Sequence, residues 1–263
     1  KVEQEMDCKL SMRQRRWYVA EKEHGQAGDD EGMWREYPST PDECWMRTNE
    51  GAFFRKQMAA ARATGRIGSC KFIQYAPVHT FWDIGNSDGT AIWMMQHVGT
   101  QARHPRFLEG WGEPYVHFIN LLEAEQAKHQ FAWGIHYLPH DALHERQTEY
   151  KIASPLDMLR ELRPTWRFEI VPRTPDKQAA IQLTRTKFPE FWFDEEGCAE
   201  GIAHLDAYHK KWNSTQGTWS SEPEKRDGHS EAADALMQDG FFGPVLAGCT
   251  LRTPVEAAAL DNN

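Results

Sequence analysis

The chain has 263 residues, with 30 Lys and Arg against 39 Asp and Glu for a net charge of −9, and 40% of its residues are hydrophobic. That suffices for one large domain, or a domain plus a fragment, with a substantial core, and no run of about eighteen apolar residues exists to span a membrane. The acidic balance is not that of a protein basic over its whole surface, but it counts only weakly against DNA, because a nuclease gathers acids at its metal site and groups Lys and Arg along a groove.

Residues 1–35 are polar and charged apart from one amphipathic stretch, 12–23, containing Trp17, Tyr18 and Val19. A Gly/Asp-rich loop follows, and Glu36-Tyr37-Pro38-Ser39-Thr40-Pro41 reads as extended because each proline biases its predecessor away from helix. Short helices are expected over 42–45 and 53–64, the first with Thr40 as its N-cap and Pro41 at its first position. The opening on Lys1, without Met or a signal-like apolar run, suggests a piece of a longer protein. The cysteines Cys8, Cys44, Cys70, Cys198 and Cys249 are scattered and form no C-x-x-C pair. That usage argues for a reducing, cytoplasmic setting and against a structural zinc site.

From Lys71 the texture changes. Val78–Ile84 is β-branched and aromatic, as suits a strand; Val78, Thr80, Trp82 and Ile84 share one face, and His79, Phe81 and Asp83 the other. A run of turn residues, 85–89, leads to strands over 90–98 and 105–111, an antiparallel meander. A helix from Pro114 to about His129 precedes a short apolar strand, 131–138, which ends in Pro139-His140-Asp141. Ser154-Pro155 caps a helix to Leu162, and 166–171 is another strand. Thr174-Pro175-Asp176 caps a helix to Lys187. A short strand, 191–193, precedes a helix expected over 198–212; 213–228 is a hairpin or polar loop, and 230–237 a last helix. The predicted fold is α/β, a mixed central sheet of three antiparallel strands followed by parallel strands, flanked by helices.

Three acids fall where such a sheet would gather them. Asp83 is on the central strand, Asp141 at the end of the strand returning beside it, and Asp234 on the last helix among the small residues Ala232, Ala233 and Ala235. An Asp inside so apolar a strand is unfavourable as an ion unless a cation compensates it, or unless it hydrogen-bonds its own turn. Asp141 reads equally as a cap for the following segment, and Asp234 as a solvated helix acid. Like charges about 4 Å apart repel by roughly 4 kcal/mol at an effective dielectric of about 20, so clustering all three points to divalent cations. Oxygen-only ligands favour Mg²⁺ or Mn²⁺ over Zn²⁺.

Four motifs, in order, resemble the large terminase subunit of tailed double-stranded DNA phages. They are Trp17-Tyr18 with Glu36-Tyr37-Pro38-Ser39-Thr40-Pro41; Asp83-Ile84-Gly85 with Ser87-Asp88; Leu138-Pro139-His140-Asp141-Ala142; and His229-Ser230 with Ala233-Asp234-Ala235. The resemblance implies a ribonuclease H-like nuclease domain over 66–245, preceded over 1–65 by the tail of a packaging ATPase and its linker, with a tail over 246–263. It implies a metal-dependent endonuclease that cuts concatemeric viral DNA with little sequence specificity. Asp83, Asp141 and Asp234 would be catalytic and would hold two Mg²⁺ or Mn²⁺ ions, with Asp88 as an accessory acid. His229 matches by position only, and would support these ligands, contact DNA or be merely structural; Arg173 and Lys177, from the cation cluster late in the chain, are candidates for the supporting or DNA-contacting role. Implied partners are double-stranded DNA, the protein's own ATPase domain, the portal and the small terminase subunit, in the host cytoplasm and at no membrane. The chain departs from the parent pattern in lacking a G-x-x-x-x-G-K-[ST] phosphate loop.

Other readings remain open. The domain could be a DNA- and portal-docking module with weak cleavage, or another ribonuclease H-like nuclease such as a junction resolvase. His136 and His140 flank the Asp141 strand end but read as packed or hydrogen-bonded histidines. Arg163, Arg167, Arg173, Lys177, Arg185 and Lys187 either track phosphates or form a solvated face. Lys225 and Arg226, with Trp219 in the same polar segment, belong either to a hairpin touching DNA or to a plain surface loop.

Overall fold

The computed structural model describes residues 3, 6, 8–25, 37, 39–40, 51–85, 89–147, 152–173, 176–213, 218–225 and 228–250. They fall in two compact units, Lys1–Ala52 and Phe53–Asn263.

In the first unit, helix α1 (Met12–Ala20) starts at Ser11, whose hydroxyl accepts from the Gln14 N–H while the Gln14 side chain accepts from the Ser11 N–H. This reciprocal capping satisfies two amide donors that a helix start leaves over. The helix buries none of its residues, and a wide turn, Glu21–Gly25, continues it. The helix expected over 42–45 lies outside the described residues.

In the second unit, helix α2 (Arg55–Ala63) leads to strand β1 (Ile67–Gly68) and then to the meander β2 (Val78–Ile84), β3 (Gly89–Val98) and β4 (Gln101–Trp111). Helix α3 (Tyr115–His129) crosses to β5 (Trp133–Leu138). After a tight 3₁₀ turn, His140–Leu143, come a small ladder of β6 (Arg146–Gln147) and β7 (Ile152–Ala153), helix α4 (Pro155–Leu162) and β8 (Arg167–Ile170). Helix α5 (Lys177–Lys187), β9 (Phe191–Asp194), helix α6 (Ala199–Ala207), the hairpin β10 (Lys210–Asn213) and β11 (Thr218–Pro223), and helix α7 (Ser230–Thr250) complete it. Seven strands form one sheet in the order β1-β9-β4-β3-β2-β5-β8. The meander is antiparallel, and β5 and β8 continue parallel beyond β2. This is the mixed, helix-flanked sheet expected from the sequence.

Both faces of the sheet are covered, and the period-2 alternation sorts them. Val78, Trp82, Ile84, Ile92 and Met94 pack with Phe118, Ile119 and Leu122 of α3 and with Leu156 and Leu159 of α4. Phe81, Ala91, Trp93 and Met95 pack with α2, α5, α6 and α7 on the other face. Asp83 has the parity of Phe81, so it belongs to the α7 side.

The start of β4, at Gln101 and not Pro105, and the ends of two helices depart from the sequence reading. Helix α6 ends at Ala207, not Trp212, because Tyr208 turns to extended backbone and 210–213 pairs with β11 instead of continuing the helix. Trp212 instead meets Trp219 across the β10–β11 ladder, ring centroids 4.9 Å apart. Helix α7 continues past Met237 to Thr250 despite Gly240, Gly243 and Pro244. At Gly240 the reason is packing: a Cβ there would sit 2.3 Å from Thr184 Oγ1, so only glycine lets α7 approach α5 so closely.

Candidate active site

Asp83 is the penultimate residue of β2 and is half-buried. It is placed by two ladders, with Ala91 opposite on β3 and β5 alongside. Asp141 follows β5 within the 3₁₀ turn, one residue beyond His140. Because β5 runs parallel to β2, both acids emerge at the same end of the sheet, where parallel strands commonly present their functional groups. Asp234 arrives from α7. Its neighbours Ala232, Ala233 and Ala235 are buried, and the Trp93 indole N–H donates to the Ala232 carbonyl at 2.8 Å. The Gln238 amide, one turn on, donates to the Trp82 carbonyl, next to Asp83.

The three carboxylates line one cavity of about 370 Å³ together with the cations Arg173, Lys177 and Lys225. Burial, and then repulsion from Asp234, holds the Asp83 carboxyl well above the usual carboxylate range. The Lys177 ammonium opposes that shift, while Asp141 and Glu231 add to it. Lys177 Nζ donates directly to Asp234. Among the described residues Asp141 Oδ1 is buried without a hydrogen-bond partner, and the same holds for Glu231 Oε2 and Gln238 Oε1.

Among the described residues no three His, Cys, Asp or Glu side chains already converge on a single cation. The donor chemistry nevertheless fits one. Three hard carboxylates from three elements share a cavity, and a buried carboxylate oxygen without a donor is the kind of atom that a divalent ion satisfies.

The remaining candidates separate. Asp88 lies outside the described residues. His229 does not line the cavity; its Nδ1 is 2.8 Å from Nδ1 of His204, whose Nε2 is 2.8 Å from Glu109. The Glu109 carboxylate raises the pKa of His204. His140 lines the cavity, whereas His136 is fully buried, 2.8 Å from Thr80 Oγ1 and stacked on Trp166. Of the six cations clustered late in the chain, Arg163 pairs with Glu123 and Arg167 with Glu169. Arg185 donates to the Phe53 carbonyl, and Lys187 is buried against Asp239. Arg173 and Lys177 alone of the six line the cavity.

Lys225, which the sequence left between a DNA-touching hairpin and a surface loop, arrives at the cavity just after β11. The sequence reading missed the buried group His104, Lys187 and Asp239. Asp239 and His104 carried no signal, since their meeting depends on how α7 crosses β4.

No family model matches this chain, and no curated protein does. Among solved structures it is similar to the large terminase of a thermophilic bacteriophage, at 12% identity and a TM-score of 0.49 over 70% of this chain and 43% of that one. It thus spans less than half the length of that protein. It is also similar to the large terminase nuclease of thermophilic phage G20c with bound magnesium, at 10% identity and a TM-score of 0.46 over 73% of this chain and 97% of that one. The nuclease domain of the P22 large terminase gives 14% identity and a TM-score of 0.47 over 68% and 89% of the two chains. Among the described residues no helix is long and apolar enough to cross a membrane.

Proposed function

We propose that this chain is a metal-dependent DNA endonuclease that cuts concatemeric viral DNA during genome packaging. The observation that carries the reading is the meeting of Asp83, Asp141 and Asp234 in one cavity with the cations Arg173, Lys177 and Lys225. Carboxylates and cations lining the same cavity suit a phosphodiester held between metal-binding and phosphate-binding groups.

Asp83, Asp141 and Asp234 would hold two Mg²⁺ or Mn²⁺ ions, with Asp141 Oδ1 ready to accept one without losing a bond. Bound ions supply Lewis acidity at the scissile phosphate and lower the pKa of an attacking water. Asp83 resists ionisation while it faces Asp234, so cation binding and carboxylate ionisation favour each other there. Lys177 orients Asp234, and Arg173 and Lys225 steady the DNA backbone. Such contacts grip phosphate without reading bases, so little sequence specificity follows. Asp88 is an accessory acid on this reading. Residues 1–65 stem from an adjoining packaging ATPase and its linker, 66–245 form the nuclease and 246–263 a tail. The portal and the small terminase subunit are partners in the host cytoplasm.

The test is nicking of supercoiled plasmid by the purified chain with Mg²⁺, Mn²⁺ or EDTA, beside Asp83→Asn and Asp234→Asn. Cleavage that requires metal and falls by at least about a hundredfold in each variant is expected, the scale of losing a group that stabilises developing charge. DNA binding without cleavage under any metal would favour a docking module instead, and preference for branched DNA a junction resolvase.

A further inference from the structure

On the same helix as Asp234 lies an ionic group that the proposed chemistry does not use. Asp239 is fully buried. Its Oδ1 accepts from Lys187 Nζ at 2.8 Å, its Oδ2 is 3.1 Å from His104 Nε2, and its backbone carbonyl accepts from the same Lys187 ammonium at 3.1 Å. Lys187 is itself buried, at the end of α5, with its ammonium over the Phe191 ring. His104 is buried on β4 between Trp93 and Phe193. The Lys187 ammonium, with His104 and His97, pulls the Asp239 carboxyl far below the usual carboxylate range against the cost of its burial.

A buried ion pair is a poor device for stability alone, since well-packed apolar residues of the same volume do as well or better. What it adds is direction. Hydrogen bonds at set distances from two elements admit one rotation and one height of α7, whereas apolar packing tolerates small slides. Gly240 against Thr184 and the Trp93 bond to Ala232 bracket the same stretch of helix. Asp234 lies five residues before Asp239, about 7.5 Å along the axis at 1.5 Å per residue.

We propose that the Lys187–Asp239–His104 group is a positioning device that sets the register of α7, and thereby the placement of Asp234 opposite Asp83 and Asp141. The three are positioning residues, and the inference rests on the nuclease reading of the cavity.

The test compares two variants of the full chain by Mn²⁺ binding, read from the electron paramagnetic resonance of the free ion, and by thermal melting. In Lys187→Met/Asp239→Leu the ion pair becomes apolar and no buried charge is left uncompensated, although the His104 Nε2 loses its partner. Its melting temperature should stay nearer the parent's than that of Asp239→Asn, while Mn²⁺ affinity falls by about tenfold or more, the scale seen when groups that orient metal ligands are removed. Asp239→Asn keeps the size and hydrogen-bonding atoms but leaves the Lys187 charge uncompensated. It should melt lower yet keep Mn²⁺ affinity within about threefold, below that same scale. All affinities are measured well below each melting temperature. This crossed pattern is expected only of a positioning role. If the double variant does not fold, a second apolar pair, Lys187→Leu/Asp239→Met, takes its place with the same expected outcome, and joint loss of affinity and melting temperature in Asp239→Asn overturns the inference. A folded double variant with parental affinity overturns this inference and leaves the nuclease reading standing. A parent chain that binds no Mn²⁺ overturns both.

Discussion

Asp83 and His136 stand on neighbouring parallel strands, β2 and β5, yet burial moves their pKa values in opposite directions. Burial opposes the charged form of each: it drives the Asp83 carboxyl up, and it drives the His136 imidazole down to about 3 and that of His79 to about 4. Asp83 faces a cavity of mixed charge where a cation can reverse the shift. His136 is enclosed by Thr80 and Trp166, so it stays neutral in the folded chain. Its folded pKa lies below an unfolded value of about 6.5, so the unfolded chain binds more protons between those values. The stability linked to His136 is therefore complete above about pH 6.5 and is lost as pH falls toward 3, the loss amounting to about 2–3 kcal/mol by pH 4.5. The melting temperature of His136→Gln, which can still bond Thr80, should fall less steeply between pH 7 and 4.5 than the parent's. An unchanged slope would exclude His136 as its source. Asp83 was legible as unusual from its apolar strand alone; the neutrality of His136 was not, because its enclosing partners come from β2 and the approach to β8.

At the scale of elements, legibility followed periodicity. Strand β2 and its two faces, the meander and the helices capped at Ser154 and Asp176 were readable because each carries its own pattern or cap. The ends of α6 and α7 were not, because tertiary contacts set both. Gly240 makes the point: read alone it breaks a helix, and in the fold it is what allows α7 to lie against α5. Gly240→Ala would put a methyl 2.8 Å from the Thr184 Cα, and backbone cannot move aside as a side-chain tip can. We expect a loss of about 1–3 kcal/mol in chemical unfolding, the usual cost of overpacking, although alanine is the better helix former. A neutral result would mean that the two helices slide apart readily.

Across the whole molecule the net charge of −9 hides an uneven distribution. Many cations are engaged by acids of the same chain, as with Arg62 on Asp206 and Arg163 on Glu123, while Arg173, Lys177 and Lys225 line the cavity with the three acids. On the proposed nuclease reading, DNA binding should accordingly be local and salt-sensitive. Arg173→Ala/Lys225→Ala should weaken binding of a duplex in EDTA by a similar factor for any sequence. It should also lower the slope of log affinity against log salt by about 1 for each phosphate no longer neutralised, with melting unchanged. Equal slopes for parent and variant would move the DNA-binding surface elsewhere.

The amino-acid sequence by itself determined the class of the fold, the order of its main strands and helices from β2 on and which three acids could meet, because strand alternation, capping and turn chemistry are written in neighbouring residues; it did not show the two-residue strands β1, β6 and β7. It could not determine which cations face those acids or what seats the helix that carries Asp234. Arg173 and Arg167 look alike in sequence, and only the fold pairs one with Glu169 and turns the other to the cavity. Lys187, Asp239 and His104 are distant along the chain and become one group only when α5, α7 and β4 close on each other, since the energy of a buried charge depends on partners that only tertiary packing supplies.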